Sequence, residues 1–482
     1  MSKHQMNSAD AAWLHMDRPT NLMVVNSVFW CDQPMDLERC KDVVRERLVE
    51  RFPRFRQRIV EPRPSVGVPS WEDEPRFDFD RHVHHLALPA PRDRLALQEF
   101  VGDLISTPLD RSKPLWDLYF VDGYGAGMAL VWRMHHCIAD GIALARVLLS
   151  MTDEQPDAGI QPEGDRGAAH GPLDALARPL TVGAHLAEAA MHEGFGLLTH
   201  PRPQLRALAS RTAADARALR RLLLTLPDQK SVLSGELSGA QKVTWTERIA
   251  LEDVKAIGHA TGTTVNDVLV AAMTGALHRY LVRRHSLVDE LRATIPFNLR
   301  PPDEPLPREL GNHFGLVYLE LPVGMRGQRQ RLEEVHRRMD SIKHSPEGAL
   351  AYGILGLIGL TPPQVEKPLV DLFSSKSTAV MTNVPGPRQP IYFAGTRIAG
   401  IVVWVPAAGP IGLGVSIFSY NGAVTVGLRV DAGVVPDPER IIDAFEHELE
   451  VLARLRPRST SKPERRPGVE GGSGRPAGIP GA

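Results

Sequence analysis

Residues 135–141 read His-His-Cys-Ile-Ala-Asp-Gly, an HHxxxDG heptapeptide with two imidazoles and a carboxylate. A histidine in an apolar pocket, with a pKa of ~6.5 or below, is mostly neutral at pH 7 and can accept a proton. That is the equipment of a general base. The preceding residues, Met128-Ala-Leu-Val-Trp-Arg-Met134, read as an apolar strand, whose side chains alternate between two faces. Trp132, Met134 and His136 therefore share one face, and Arg133 and His135 the other. His136 is the candidate base on the apolar side. Asp140-Gly141 breaks the strand, and Ile142-Ala-Leu-Ala-Arg-Val-Leu-Leu149 continues as a helix. Asp140 then lies near the helix N-terminus, which favours an anion.

Two plainer readings compete. One is a chance histidine pair, satisfied by backbone carbonyls. The other is a metal site, since His and Asp are both ligands. Adjacent strand residues point to opposite faces, so His135 and His136 do not readily share one ion, and no metal is expected. Cys137 invites a nucleophile reading, but a small core residue is the better account. Cys31, Cys40 and Cys137 form no metal-type spacing and suggest a reduced, cytosolic protein.

A length of 482 residues suggests two domains, and 43% hydrophobic with 23% charged residues is ordinary for a soluble globular chain. A formal net charge of −1 gives no electrostatic case for nucleic acid or an anionic membrane. Met1-Ser-Lys-His-Gln-Met6 lacks the apolar core of a signal peptide. From Ile398 to Leu428 the chain carries no charge, long enough for a membrane span. Pro406, Pro410 and the hairpin dipeptide Asn421-Gly422 interrupt it, so a strand Gly400–Val405 and a hairpin of Gly414–Tyr420 with Ala423–Val430 fit better.

The pattern divides the chain into an N-terminal domain (1–155), a linker with helices (156–236), a C-terminal domain (237–455) and a disordered tail (456–482). The first carries strand Val24–Trp30, helix Leu37–Arg51, and a hairpin of Trp116–Val121 with Met128–Met134. Its turn, Asp122-Gly-Tyr-Gly-Ala-Gly127, mimics a dinucleotide loop but leads into a strand, so the phosphate reading fails. In the linker, the arginine-rich stretch Gln204–Leu226 reads as a solvated helix face ahead of a membrane contact. Beyond it, helices are expected at Leu251–Ala260 and Val265–Arg284, and strands near Leu291–Ile295, Gly315–Leu321 and Val380–Asn383. Asp437-Pro438 reads as the N-cap and first residue of a final helix.

Three further stretches accompany the heptapeptide: Pro114-Leu115-Trp116, Asn266-Asp267 in the first turn of an apolar helix, and Thr382-Asn383-Val384-Pro385-Gly386-Pro387. Singly, each reads as a strand start, a helix cap and a rigid turn. In this order and spacing the chain resembles the bacterial wax ester synthase/acyl-CoA:diacylglycerol acyltransferase family. Ser8-Ala-Asp10-Ala-Ala-Trp13, Phe52-Pro-Arg-Phe-Arg-Gln-Arg58, Phe77-Asp-Phe-Asp-Arg-His-Val83 and Thr263-Thr-Val-Asn-Asp267 extend the resemblance from Ser8 to about Leu455. The heptapeptide alone is shared with chloramphenicol acetyltransferase-like proteins and peptide-synthetase condensation domains. Thr382 stands where such enzymes often have serine.

The resemblance implies an α/β fold with mixed sheets, made of two chloramphenicol-acetyltransferase-like domains with a substrate channel between them. It implies acyl-CoA as co-substrate, no bound cofactor, and diacylglycerol or a long-chain fatty alcohol as acceptor. His136 would take the acceptor's hydroxyl proton, with His135 beside it. Asp140, with Gly141, would hold the motif loop through an arginine or backbone amides. Asn266 and Asp267 would brace the opposite wall, Asn266 with a direct oxyanion role open to it. Pro114, Trp116 and Asn383 would give structural support. The protein would be cytoplasmic, or peripheral at the inner membrane or on lipid inclusions. Ala349–Leu360 could line the channel or touch a lipid droplet, and a buried core helix with glycine contacts is preferred to the droplet contact. Arg388 and Lys376 are candidates for the CoA phosphates from position alone. Two alternatives stay open: condensation on another acceptor, and a lipid-surface binding protein with a vestigial motif.

Overall fold

The structure is a computed structural model that describes residues 3–62, 67–160, 225–299, 307–343, 347–358, 361 and 363–455. Most of the linker, the basic stretch from Gln204 up to its last two residues, and the tail from 456 lie outside the described residues.

Strand Gly127–His135 is buried along its whole length, because its sheet is covered on both faces. The sheet runs Gly400–Trp404, Val24–Cys31, Gly127–His135, Trp116–Tyr124, Val83–Ala87, with the last pair parallel and the others antiparallel. Period-2 alternation separates two cores. Leu130, Trp132 and Met134 pack with Ala143, Leu144 and Val147 of helix Gly141–Ser150. Ala129 and Val131 pack with Leu97 and Val101 of helix Arg94–Ile105.

The second sheet contains Ile249–Ala250, Ala423–Asp431, Leu413–Tyr420, Ala379–Pro385, Leu291–Asn298 and Phe314–Leu321 in that order, with Gln241–Trp245 also paired to Ala423–Asp431. On one face, Met381, Leu413, Val415 and Ile417 meet Val268, Leu269, Leu332 and Phe445. These come from helices Val265–Arg283, Gln328–Lys343 and Glu439–Ala453. The opposite face looks toward the first half. Asn421 and Gly422 both take positive φ, +46° and +72°, and close the expected hairpin of Leu413–Tyr420 with Ala423–Asp431. No helix of the described residues is long and apolar enough to cross a membrane.

One strand does not follow chain order. Gly400–Trp404, from the second half of the sequence, pairs with Val24–Cys31 and forms the edge of the first sheet. Just before it, Tyr392–Phe393 pairs with Thr152–Asp153. Gly400 must lack a side chain there, since a Cβ would sit 2.0 Å from the Trp30 ring. The halves are therefore interlocked rather than simply apposed.

One local expectation changes. Asp437 does not cap the last helix, which starts at Glu439 without a side-chain cap. Its carboxylate instead accepts hydrogen bonds from Tyr280 Oη at 2.8 Å and Arg284 at 2.6 Å; burial would raise its pKa, but the Tyr280 bond and then Arg284 outweigh it and hold the carboxyl below the usual range. Glu347–Ile358 packs against helix Ser8–His15 and strand Phe314–Leu321.

Candidate active site

The strand ladder ends at His135, and His136 is the first residue beyond it. Its N–H donates to the Met23 carbonyl at 2.8 Å. Leu115 accepts from the His135 N–H at 3.0 Å, so the Pro114-Leu115-Trp116 stretch fastens the strand end by its backbone. Trp116 donates Nε1–H to the Phe55 carbonyl and stacks on His82. Asp140 takes an extended conformation (φ −67°, ψ 163°) and caps helix Gly141–Ser150, accepting the Ala143 N–H at 2.8 Å. Gly141 lies tight against the chain after the crossing strand, where a Cβ would come 2.9 Å from Val405.

The two histidines part as alternation requires. His136 is 3% exposed, stacked on Trp13 with ring centroids 4.2 Å apart and flanked by Phe314 at 5.4 Å. Burial, above all, lowers its pKa to about 4, with the Asp140 charge opposing. It is therefore neutral at pH 7 and a proton acceptor. His135 turns away, its Nδ1 accepting the Cys137 N–H at 3.2 Å and its Nε2 lying 3.7 Å from Asp17. Burial would raise the Asp17 carboxyl, but His135, the Met23 N–H and Arg111 outweigh it and hold it at about 2.

His136 and Asp140 open onto a cavity of about 1090 Å3 of empty space, mouth included. Trp13, Gly141, Ile142 and Ala145 line it from the first half. Alternate residues of the second sheet complete it: Thr294 and Pro296, Phe314, Leu316 and Tyr318, Val380 and Thr382, Ser416 and Phe418. Val403, Val405, Pro406 and Ile411 close it beside the crossing strand. The lining is mostly apolar, with a few hydroxyls, as small-molecule sites generally are.

Of the remaining sequence candidates, Asn383 lines the mouth and donates Nδ2–H to Asn266 Oδ1 at 2.6 Å. Asn266 thus reaches the cavity through Asn383. Asp267 faces elsewhere: it forms a capping box with Thr264 and accepts from His336 at 2.7 Å. Pro114 and Trp116 support the strand and do not line the cavity. Lys376 is buried over the Phe373 ring, whereas Arg388 is exposed. Among the described residues, no group of three His, Cys, Asp or Glu side chains could hold a metal ion.

The second half also touches the motif directly, through residues the sequence did not single out. The His313 N–H donates to Asp140 at 3.1 Å, so Asp140 is held by backbone amides from both halves. Asn312 donates its N–H and Nδ2–H to Asp10 Oδ1 at 2.9 and 2.8 Å, and Nδ2–H also reaches the His136 carbonyl at 2.8 Å. Asp10 is buried, and burial raises its pKa to about 7 despite these bonds. Asp10 and Trp13 fall in the Ser8–Trp13 stretch, but nothing local marks Asn312.

Two sequence families match the chain. One, described as the wax ester synthase/diacylglycerol acyltransferase catalytic domain, matches residues 6–269; the other, described as the WS/DGAT C-terminal domain, matches residues 310–453. A probable diacylglycerol O-acyltransferase, tgs1, of Mycobacterium tuberculosis is 28% identical over 413 residues, covering 83% of this chain and 84% of that protein. A putative diacylglycerol O-acyltransferase of Mycobacterium bovis is 27% identical over 474 residues, covering 93% and 90%. The solved wax ester synthase/diacylglycerol acyltransferase of Marinobacter aquaeolei superposes with a TM-score of 0.65 at 22% identity, covering 93% of this chain and 98% of that one. The first condensation domain of the calcium-dependent antibiotic synthetase gives 0.59 at 16% identity, covering 94% and 96%. These structural likenesses establish the fold, two acetyltransferase-like halves built on mixed sheets.

Proposed function

The chain belongs to the wax ester synthase/diacylglycerol acyltransferase family, and on that premise we propose that it esterifies diacylglycerol with the acyl group of acyl-CoA. Long-chain fatty alcohols compete as acceptors and yield wax esters. The observation that carries this reading is a neutral, buried imidazole at the wall of an apolar cavity between the two halves.

His136 takes the proton of the acceptor hydroxyl as its oxygen attacks the thioester carbonyl. The tetrahedral species collapses, the carbon–sulfur bond breaks, and the imidazolium returns the proton to the departing CoA thiolate. The products are an ester and free CoA. A thioester is reactive enough that no covalent enzyme intermediate is needed. Holding both substrates in place can supply ~7–11 kcal/mol of the barrier, and base assistance typically adds about 10²–10⁴-fold. Water is the competing nucleophile. A cavity of this lining excludes it and rewards alkyl chains by ~0.8 kcal/mol per buried CH₂. Asp140 acts on the loop that carries the base, and Asn266 acts through Asn383. An insoluble acceptor implies work at a lipid surface, at the inner face of the membrane or on a lipid inclusion.

The test is release of free CoA from palmitoyl-CoA by the purified protein, with 1,2-diacylglycerol, hexadecanol, an amino acid and a short alcohol as acceptors. The expected result is fastest turnover with diacylglycerol and slow turnover with the small polar acceptors. Fastest turnover of the amino acid would favour condensation chemistry. No turnover of any acceptor would favour a binding protein with a vestigial motif.

A further inference from the structure

The helices that cover the second sheet on the side away from the cavity enclose another hollow, about 630 Å3 of empty space with its mouth included. Four arginines line it: Arg279 and Arg283 near the end of helix Val265–Arg283, and Arg326 and Arg331 around the start of helix Gln328–Lys343. The one carboxylate in its wall is Glu448 of helix Glu439–Ala453. Both of its oxygens are taken, Oε1 by Arg279 Nε–H and Oε2 by Arg331, and Arg331 and Glu448 are each 2% exposed. Gly275 makes room for this pair, since a Cβ there would overlap both Glu448 and Arg331. A glycine inside a helix weakens it, so the pair is a built feature and not a surface accident. One carboxylate cannot balance four guanidiniums. Arg279 donates only its Nε–H, and Arg283 and Arg326 make no hydrogen bond or ion pair among the described residues.

We propose that this hollow is a binding site for a phosphate group, separate from the site of acyl transfer. It shares no lining residue with the catalytic cavity, and the second sheet stands between them. The guanidinium fork matches phosphate oxygens two at a time. Arg279 is preset for this, because its Nε–H is anchored on Glu448 and its two Nη groups are left to donate. Arg331 is fixed as well, by Glu448 and by the Met325 carbonyl at 2.8 Å. Burial, with repulsion from Arg279 beside it, lowers the Arg331 pKa against the pull of Glu448, and an arriving anion would relieve that repulsion. Gln328, the first residue of its helix, also lines the hollow, so the positive end of that helix opens there with no acidic residue in its first turn. Exposed Arg283 and Arg326 close on the ligand from either side. The rim adds two apolar side chains, Val282, 46% exposed, and Met325, 37% exposed. Such a rim suits a phosphate carried on a lipid, while a soluble phosphate compound would use the same arginines.

The experiment reads binding and needs no turnover, so it stands whatever the role of His136. The full chain is titrated calorimetrically with inorganic phosphate, and its sedimentation with phosphatidylcholine vesicles is compared with and without added phosphatidic acid. Arg283→Gln combined with Arg326→Gln should weaken phosphate binding about 10-fold or more, the scale of losing charge-assisted partners. Both residues are exposed, so the unfolding transition without phosphate should match the native one. Arg326→Glu, a single change in the loop before the helix, should give the same loss. Arg329→Gln combined with Arg337→Gln removes as much charge from the same helix, at exposed residues paired with Glu333 and Glu334 outside the hollow, and should bind as the native chain does. Retention on phosphatidic acid vesicles that Arg326→Glu abolishes would assign the site to a lipid headgroup. Phosphate binding without retention would assign it to a soluble phosphate compound. Neither binding nor retention in the native chain, undiminished binding in the hollow variants, or an equal loss in Arg329→Gln/Arg337→Gln would overturn the proposal.

Discussion

The five-stranded and seven-stranded sheets are built from the same kind of alternating strand, yet they spend their faces differently. In the first, Leu130, Trp132 and Met134 on one side and Ala129 and Val131 on the other are all packed, and the polar His136 emerges where the ladder stops. In the second, Val415 and Ile417 pack on helices, while Ser416 and Phe418, alternating with them, face the cavity. A sheet closed on both sides makes a rigid platform for one group. A sheet left open on one side makes a wall whose shape can change without disturbing its core. The chemistry is expected to belong to the first sheet and chain selection to the second.

The largest effect should come from the platform. His136→Ala is expected to lower acyl transfer by at least ~10²-fold with the fold intact, whereas His135→Ala, which loses the Cys137 N–H bond and the approach to Asp17, should act more on stability than on rate. Equal loss of rate from both would break the division between the two faces of that strand. Neighbouring wall substitutions sharpen the contrast. Ile417→Ala should cost about 2–5 kcal/mol of stability, read by denaturant unfolding, and leave the preferred acceptor length alone. Ser416→Leu should change stability little and shorten the preferred chain by a few methylenes in the CoA-release assay. A shift in chain preference from Ile417→Ala would show that the wall is not independent of its core.

The smallest effect concerns pH, and it comes from where the sheets meet. His136, lowered from 6.5 to about 4, stays neutral in the folded protein while the unfolded chain binds a proton, so its contribution to stability rises with pH between about 4 and 6.5. Asp10, raised from 3.8 to about 7, keeps its proton when folded while the unfolded chain has lost it, so its contribution falls between about 4 and 7. The two slopes oppose and largely cancel. Asp10→Asn should remove the falling slope and leave stability rising with pH over that window, as thermal melts between pH 4.5 and pH 7 would reveal. A profile in Asp10→Asn unchanged from the native one would mean that Asp10 is ionised throughout.

Much of this was legible in the sequence, and the limits are physical. Strand alternation separated His136 from His135, and Asn421-Gly422 announced its hairpin, because both signals lie within a few residues of their consequence. The uncharged run after Ile398 also resolved into strands, but the partner of Gly400–Trp404 lies on Val24–Cys31, and no local pattern states that pairing. Asn312 escaped for the same reason: its partners Asp10 and His136 are 302 and 176 residues away. Asp437 looked like a cap because the cap rule is local, and it was claimed by Tyr280 and Arg284 instead. Asp140 obeyed the same rule and then gained His313 from the other half as well.

The crossing strand also governs how the chain comes into being. The sheet that carries His136 lacks its edge until residues 400–404 leave the ribosome, by which point most of the second half has been made. Until then Val24–Cys31 presents unpaired backbone groups, an invitation to association between nascent chains. A fragment ending between the halves would inherit the same open edge permanently. The protein is thus two halves in architecture and one unit in synthesis, and the sheet beneath the His135–Gly141 motif is among the last places to become complete.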